Sequence, residues 1–189
     1  MRVEKLKEEY PVEVTWVPFY LHPGLATEGV PREQLFPGPP DENYRSHLKQ
    51  TAASVGLTMR SNPIIANSQK ALEAAEFARD LGRLDDFGPA MFKAYFTDRR
   101  NIGLVDELVA IAKETGLDGE ALRAALADDR YADRVRDGDQ WSHGIGVTGV
   151  PTFIFGRKYA VVGAQPYESF ERVMEQLGVP KRAVSAPEA

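Results

Sequence analysis

The sequence predicts an α/β protein in which a small sheet is interrupted by a block of helices. Three observations carry this. From Asp41 onward, apolar residues recur at helical spacing for roughly a hundred residues. Near the C-terminal end, two short β-branched and aromatic runs flank a turn at Gly156-Arg157. Val12 to Leu21 reads as a strand with apolar residues on both faces, the pattern of a strand covered on both sides.

The elements follow in order. Met1 to Glu9, with Tyr10 after it, places Val3, Leu6 and Tyr10 at i, i+3 and i+7, a helix that opens without a capping residue and is closed by Pro11. In the strand that follows, Val12, Val14 and Trp16 lie on one face and Val17, Phe19 and Leu21 on the other. Residues 22–42 hold Pro23, Pro31, Pro37, Pro39 and Pro40 with three glycines, and read as a stiffened loop without regular structure, a wall or lid over a groove. Helices are then expected over Asn43 to Val55 and from a cap at Asn67 or Ser68 to Leu81, with Gly82 at the end. A third starts at Asp85 or Asp86 and sets Phe87, Met91 and Tyr95 beside Phe92 and Phe96, an aromatic stripe better read as core than as a ligand box. A fourth uses Leu104, Leu108, Ile111 and Thr115 and stops at Gly116; Asp118 caps a fifth to Ala127; a sixth runs from Arg130 to His143. Thr152 to Phe155 and Tyr159 to Val162 form a hairpin. Tyr167 to Leu177 closes the fold with Phe170, Val173, Met174 and Leu177 on one face, and Val179 to Ala189 is a tail expected to fray. Residues 1–42 and 144–178 thus make one discontinuous sheet-bearing domain, with 43–143 as a helical insertion and 179–189 as the tail.

Composition narrows the function classes. With 43% hydrophobic and 27% charged residues over 189 positions, the chain can bury a core without disulfides or metal. A net charge of −5 and the lack of a basic stripe argue against nucleic acid. Arg99-Arg100 and Lys181-Arg182 read as solvated helix ends. No apolar run approaches the ~20 residues of a membrane span, and the first nine residues do not resemble a signal peptide, so the cytoplasm is the expected location. The absence of cysteine removes a disulfide framework, a thiolate metal site and a thiol nucleophile together. His22, His47 and His143 lack metal-ligand spacing, Ser142-His143 are neighbours that point apart on a helix, and the acidic pairs Asp128-Asp129 and Asp137-Asp139 match no calcium loop, so no metal is expected.

The most informative stretch is Gly146-Val147-Thr148-Gly149-Val150-Pro151-Thr152-Phe153-Ile154-Phe155, a loop that leads into a strand through a Val-Pro bond. With Trp16 through Pro23, Asn67-Ser68, Ala94-Tyr95-Phe96, Asn101-Ile102, Gly116-Leu117-Asp118 and Gly163-Ala164-Gln165-Pro166, it spans nearly the whole chain. In this order the segments resemble the DsbA superfamily, within it the FrnE-like branch. That branch in turn is similar to 2-hydroxychromene-2-carboxylate isomerases and kappa-class glutathione transferases. The resemblance implies a thioredoxin-like sheet with an inserted all-helical subdomain. It implies a cis bond at Val150-Pro151, although the general rate for X-Pro bonds is only ~5%. It also implies a client strand docking on Thr148, Gly149, Val150, Pro151 and Thr152. Gln165 either reaches a substrate or only shapes the turn before the last helix. Phe19, His22 and Pro23 would wall the groove.

The family's first strand and its C-P-W-C-like motif have no counterpart in this sequence. No catalytic residue is therefore expected in this chain. Three arrangements would fill the place of the central strand: a longer natural chain whose upstream residues carry the thiols, a strand lent by a second protomer in a strand-exchanged homodimer or by a bound peptide, or direct pairing of the two flanking strands. They are ranked in that order. The functional expectation is a DsbA/FrnE-like thiol–disulfide oxidoreductase family protein acting on a thiol- or disulfide-bearing client, without a resident cofactor. The alternatives are a glutathione-dependent isomerase or transferase, with glutathione against Val150, and a redox-inactive peptide-binding module.

Overall fold

The computed structural model describes residues 2–39, 41–54 and 56–183. They divide into two compact units, one of Pro18–Trp141 and one of the residues up to Val17 with those from Ser142 onward.

The helical unit holds the block of helices. Its elements are β1 (Val30–Pro31), α2 (Arg32–Leu35), α3 (Glu42–Ala53), β2 (Ile64–Ile65), α4 (Gln69–Asp80), α5 (Leu84–Phe96), α6 (Val105–Glu114), α7 (Gly119–Ala127) and most of α8 (Ala132–Gly144), with α1 (Arg2–Glu9) preceding them in the other unit. The helices begin where their side chains can satisfy the first orphan amides. The Asp41 carboxylate accepts from Tyr44 N–H, and that of Asp118 from Glu120 and Ala121 N–H. At α4 the work is done by Asn67, whose Oδ1 accepts from Gln69 N–H at 2.9 Å, and not by Ser68. α6 ends where Gly116 turns left-handed at φ +76°, which lets the Leu117 and Gly116 amides reach back to the Ala112 and Lys113 carbonyls. The core is built from Ala74, Phe77, Phe87, Leu108, Ile111, Leu122 and Leu126 with their neighbours.

Several sequence expectations are corrected here. Residues 22–42 are not featureless: Val30–Pro31 pairs antiparallel with Ile64–Ile65 and a turn of helix follows at α2. The loop is also pinned, with Asn67 Nδ2 donating to Leu25 C=O at 2.7 Å and Asn101 Nδ2 to Glu28 C=O at 2.8 Å. Those bonds, with Tyr20 N–H on Asp139 at 2.7 Å, tie Tyr20, Leu25 and Glu28 to the helical unit. The aromatic stripe is split: Phe87 is fully buried, whereas Phe92 is 57% exposed and stacks on Phe96. Arg100 is no solvated end, since it binds Glu107 at 2.6 Å and Glu114 at 2.9 Å. Val55, the end of the helix predicted over Asn43 to Val55, and residues 184–189 of the tail lie outside the described residues.

The second unit contains α1, the hairpin β3 (Thr152–Phe155) and β4 (Tyr159–Val162), and α9 (Tyr167–Gln176). One face of the hairpin, Phe153, Phe155 and Val161, packs with Phe170, Val173 and Met174 of α9 and Leu6 of α1. The predicted strand Val12 to Leu21 is not a strand. Pro11 to Tyr20 has no helix, turn, bend or ladder pairing, and Trp16 and Val17 are 48% and 40% exposed. The alternation of side chains is present, but a strand also needs a hydrogen-bonded neighbour, and β3 pairs only with β4 among the described residues. Direct pairing of the two flanking segments is thereby overturned.

The stretch 179–183, expected to fray, is tied to α1. Arg182 N–H donates to Glu9 C=O at 2.7 Å, and Lys181 binds Glu9 at 2.8 Å and Glu171 at 2.7 Å. Glu9 also accepts from the Tyr167 hydroxyl at 3.3 Å, and Lys5 lies 4.1 Å above the Tyr167 ring. Partial burial, followed by the negative charge of Glu9, pushes the Tyr167 hydroxyl up to about 12. A group whose native pKa is raised contributes stability that is fully present below its unfolded value and lost as pH passes through the native one. Stability of this unit should therefore fall between pH ~10 and about 12. Tyr167→Phe should flatten that part of the urea-denaturation pH profile; an unchanged slope would remove Tyr167 as its source.

Among the described residues no helix is long and apolar enough to cross a membrane, and no group of His, Asp and Glu could hold a metal ion.

Candidate functional site

The loop between α8 and β3 is shaped at its start by how α8 ends. Gly146 adopts φ +85°, a backbone region that side-chain-bearing residues rarely occupy. Its N–H reaches His143 C=O at 2.9 Å, and the Val147 N–H reaches Ser142 C=O at 3.0 Å. This pair of bonds is the Schellman pattern, which stops the helix and reverses the chain. Thr148 and Gly149 follow, and the Thr152 hydroxyl closes the turn on Gly149 C=O at 2.7 Å. The Val150–Pro151 peptide bond is cis, and the Val150 side chain is 54% exposed.

The register of the hairpin fixes which backbone groups remain available. Thr152 lies opposite Val162 and Phe155 opposite Tyr159, and Gly163 N–H donates to Pro151 C=O at 2.8 Å. Hydrogen-bonded and non-bonded pairs alternate along an antiparallel ladder. Pro151, Phe153 and Phe155 thus turn their backbone groups toward β4, while Thr152 and Ile154 turn theirs to the opposite edge. No strand occupies that edge among the described residues.

Next to the edge is a shallow cleft lined by Ile145, Gly146, Val147, Thr148, Thr152, Ile154, Ala160 and Val162. The lining carries no charge. Its floor is the hairpin face opposite the α9 contact: Thr152 pairs with Val162 and Ile154 with Ala160, so these four side chains share that face. Val162 is 60% exposed. The cleft can therefore seat an uncharged side chain while the edge offers main-chain donors and acceptors.

The predicted site residues fall into two groups. Thr148, Gly149, Val150, Pro151, Thr152 and Gln165 belong to the hairpin unit. Phe19, His22 and Pro23 belong to the helical unit, where the His22 ring meets Phe36 edge-on at 5.8 Å. The Gln165 amide donates to Val162 C=O at 3.1 Å, so it closes the turn before α9. The sequence reading missed Ile145, Val147, Ile154, Ala160 and Val162. The signal was available: the hairpin is apolar on both faces, and α9 can cover only one.

Residues 1–175 match the DSBA-like thioredoxin domain. The chain belongs to that family. It is 30% identical over 169 residues to the protein YwbO of Bacillus subtilis, spanning 86% of this chain and 81% of that one. The crystal structure of a probable DsbA oxidoreductase from Streptomyces coelicolor superposes with a TM-score of 0.84 at 32% identity, covering 98% of this chain and 86% of that chain. A 2-hydroxychromene-2-carboxylate isomerase superposes with a TM-score of 0.68 at 16% identity, covering 94% of this chain and 85% of that one, a likeness of fold alone. The thioredoxin-like fold with inserted helices is thus that of the DsbA family, and the described residues carry two separate antiparallel strand pairs.

Proposed function

We propose that this chain provides the client-binding part of a DsbA/FrnE-like thiol–disulfide oxidoreductase system, and that the exchanging thiols come from outside its 189 residues. Disulfide exchange begins with attack of a thiolate on a disulfide sulfur, and this chain has no cysteine to supply one. What its residues can do is bind. The observation that supports the reading is the uncharged cleft of Val147, Ile154 and Val162 beside the free edge of Thr152 and Ile154. An extended client would add to the edge through its main chain and place alternate side chains in the cleft. Val150, at the mouth of the loop, would be its first contact.

Two measurements test this. The purified chain should neither reduce insulin nor oxidise a dithiol peptide above background; activity above background would refute the assignment of the thiols to another source. It should bind an extended, cysteine-bearing peptide of alternating valine and threonine. Val147→Asp should weaken that binding about tenfold or more, because the carboxylate would be desolvated against the bound strand. Equal affinity for wild type and Val147→Asp would remove the cleft from the site.

A further inference from the structure

The last turn of α1 is completed by residues more than 170 positions downstream. A helix leaves its final carbonyls without donors of its own, and Pro11 has no N–H to extend the ladder. Arg182 supplies what is missing. Its backbone N–H donates to Glu9 C=O at 2.7 Å and its Nε to Tyr10 C=O at 3.2 Å. Lys181 bridges the Glu9 carboxylate at 2.8 Å and Glu171 of α9 at 2.7 Å, and its ammonium lies 5.7 Å from the centre of the Tyr10 ring. We propose that residues 180–183 act as a releasable strap whose balance is set by ionic strength. Closed, the strap caps α1 and clamps it to α9. Open, it frees the last turn of α1 and uncovers Tyr10.

The way the strap is held separates it from what it holds. The chain is fixed as far as Val179, whose N–H donates to Met174 C=O at 3.0 Å and whose side chain packs on the hairpin core. Residues 180–183 beyond it are exposed, so polar contacts keep them in place. Exposed ion pairs contribute little each and are screened by salt, while fixing each residue's backbone costs entropy. Segments with that balance open locally while the rest of the fold stays closed. The charges suit the place, because cations are favoured at a helix C-terminus. Tyr10 is 2% exposed and belongs to the hairpin core, so opening brings a buried aromatic ring toward water. No residue of the cleft takes part, which keeps the strap independent of the client-binding reading.

The test is amide exchange of the full chain, followed by NMR at ~0.1 M and ~1 M salt, which shortens the screening length from ~10 Å to ~3 Å. The Arg182 amide, and the Tyr10 amide that bonds Leu6 C=O in the last turn of α1, should exchange about fivefold or more faster at the higher salt. Amides of the β3–β4 ladder and of α4 to α7 should keep their rates. Lys181→Met should reach the faster rates already at ~0.1 M salt and respond no further. Arg182→Pro, which lacks both donors, should free the Tyr10 amide; Arg182→Lys, which keeps the backbone donor and a cation, should hold it. Rates at Arg182 and Tyr10 that ignore both salt and Lys181→Met would overturn the proposal. So would a Tyr10 amide still protected in Arg182→Pro, which would leave α1 uncapped by the strap. A salt response shared by the β3–β4 ladder would overturn it too, by showing that the unit opens as a whole.

Discussion

Phe170→Ala should dismantle the hairpin unit. Phe170 is fully buried, and its ring meets Phe153 at 4.8 Å, Phe155 at 5.8 Å and Tyr167 at 6.4 Å. Truncating a buried phenylalanine costs ~3–5 kcal/mol, against a total of ~5–15 kcal/mol for a whole domain. The unit's core is small: Leu6, Tyr10, Phe155, Val161, Val173 and Met174 complete its buried set. The loss is therefore a large share of what so small a core can contribute. Amide hydrogen exchange should show protection vanishing over β3, β4 and α9, and surviving over α4 to α7, which enclose a core of their own. Binding at the cleft should disappear with it, since β3 and β4 form its floor. Retained protection across the hairpin in the variant would show that Phe170 is not its keystone.

The second large effect is expected at Lys70. Its ammonium lies against Glu73 at 3.1 Å, the Leu126 carbonyl at 2.8 Å and Asp129 at 2.5 Å. Glu73 is fully buried on α4, and its Oε1 has no hydrogen-bond partner among the described residues. Burial pushes the Glu73 carboxyl above the usual carboxylate range, and Lys70 opposes that push. Lys70→Met would leave the carboxylate buried with its nearest cation gone. Removing one member of such a pair costs ~3–5 kcal/mol, and the partial exposure of Lys70 places the expectation at the lower end. The pH dependence has a definite sign. A carboxyl with a raised native pKa binds its proton more tightly in the folded state, so its contribution is favourable at low pH and is lost as pH rises. The deficit of Lys70→Met relative to wild type should thus be largest near neutrality and shrink on acidification, as Glu73 takes a proton. Adding Glu73→Met should recover about 2 kcal/mol or more, since an apolar pair needs no compensating charge. A deficit that stays constant with pH, or a double variant no better than the single one, would show that Glu73 is not the source.

The helices were legible because their signals are local. Asp41 and Asp118 sit at the first turn they cap, and Gly82 and Gly116 at the last turn they close, so a short window contains the whole cause. The hairpin was legible for the same reason, its turn being written as Gly156-Arg157 between two alternating runs. Val12 to Leu21 was misread because alternation describes side chains, while a strand is defined by a backbone partner that may lie anywhere in the chain. Val30–Pro31 and Ile64–Ile65 escaped notice because two residues make no period. At the site, the turn from Thr148 to Thr152 could be found by its motif. The cleft was legible only as a second apolar face of the hairpin that α9 leaves uncovered; its outline was not, because Ile145 and Val162 become neighbours only once β4 folds back on β3.

Asn67 and Asn101 hold the 22–42 loop in the same way. Each turns its side-chain carbonyl to an amide two residues ahead, on Gln69 and Gly103, and its side-chain NH2 to a carbonyl of the loop, on Leu25 and Glu28. That division of labour gives the protein a chemical age. Deamidation to aspartate would keep the first contact, because a carboxylate still accepts. The second would become two oxygens facing one another, and the loop would be repelled at the point where it had been held. Old protein would thus lose its loop anchor while the contacts to the Gln69 and Gly103 amides stayed intact.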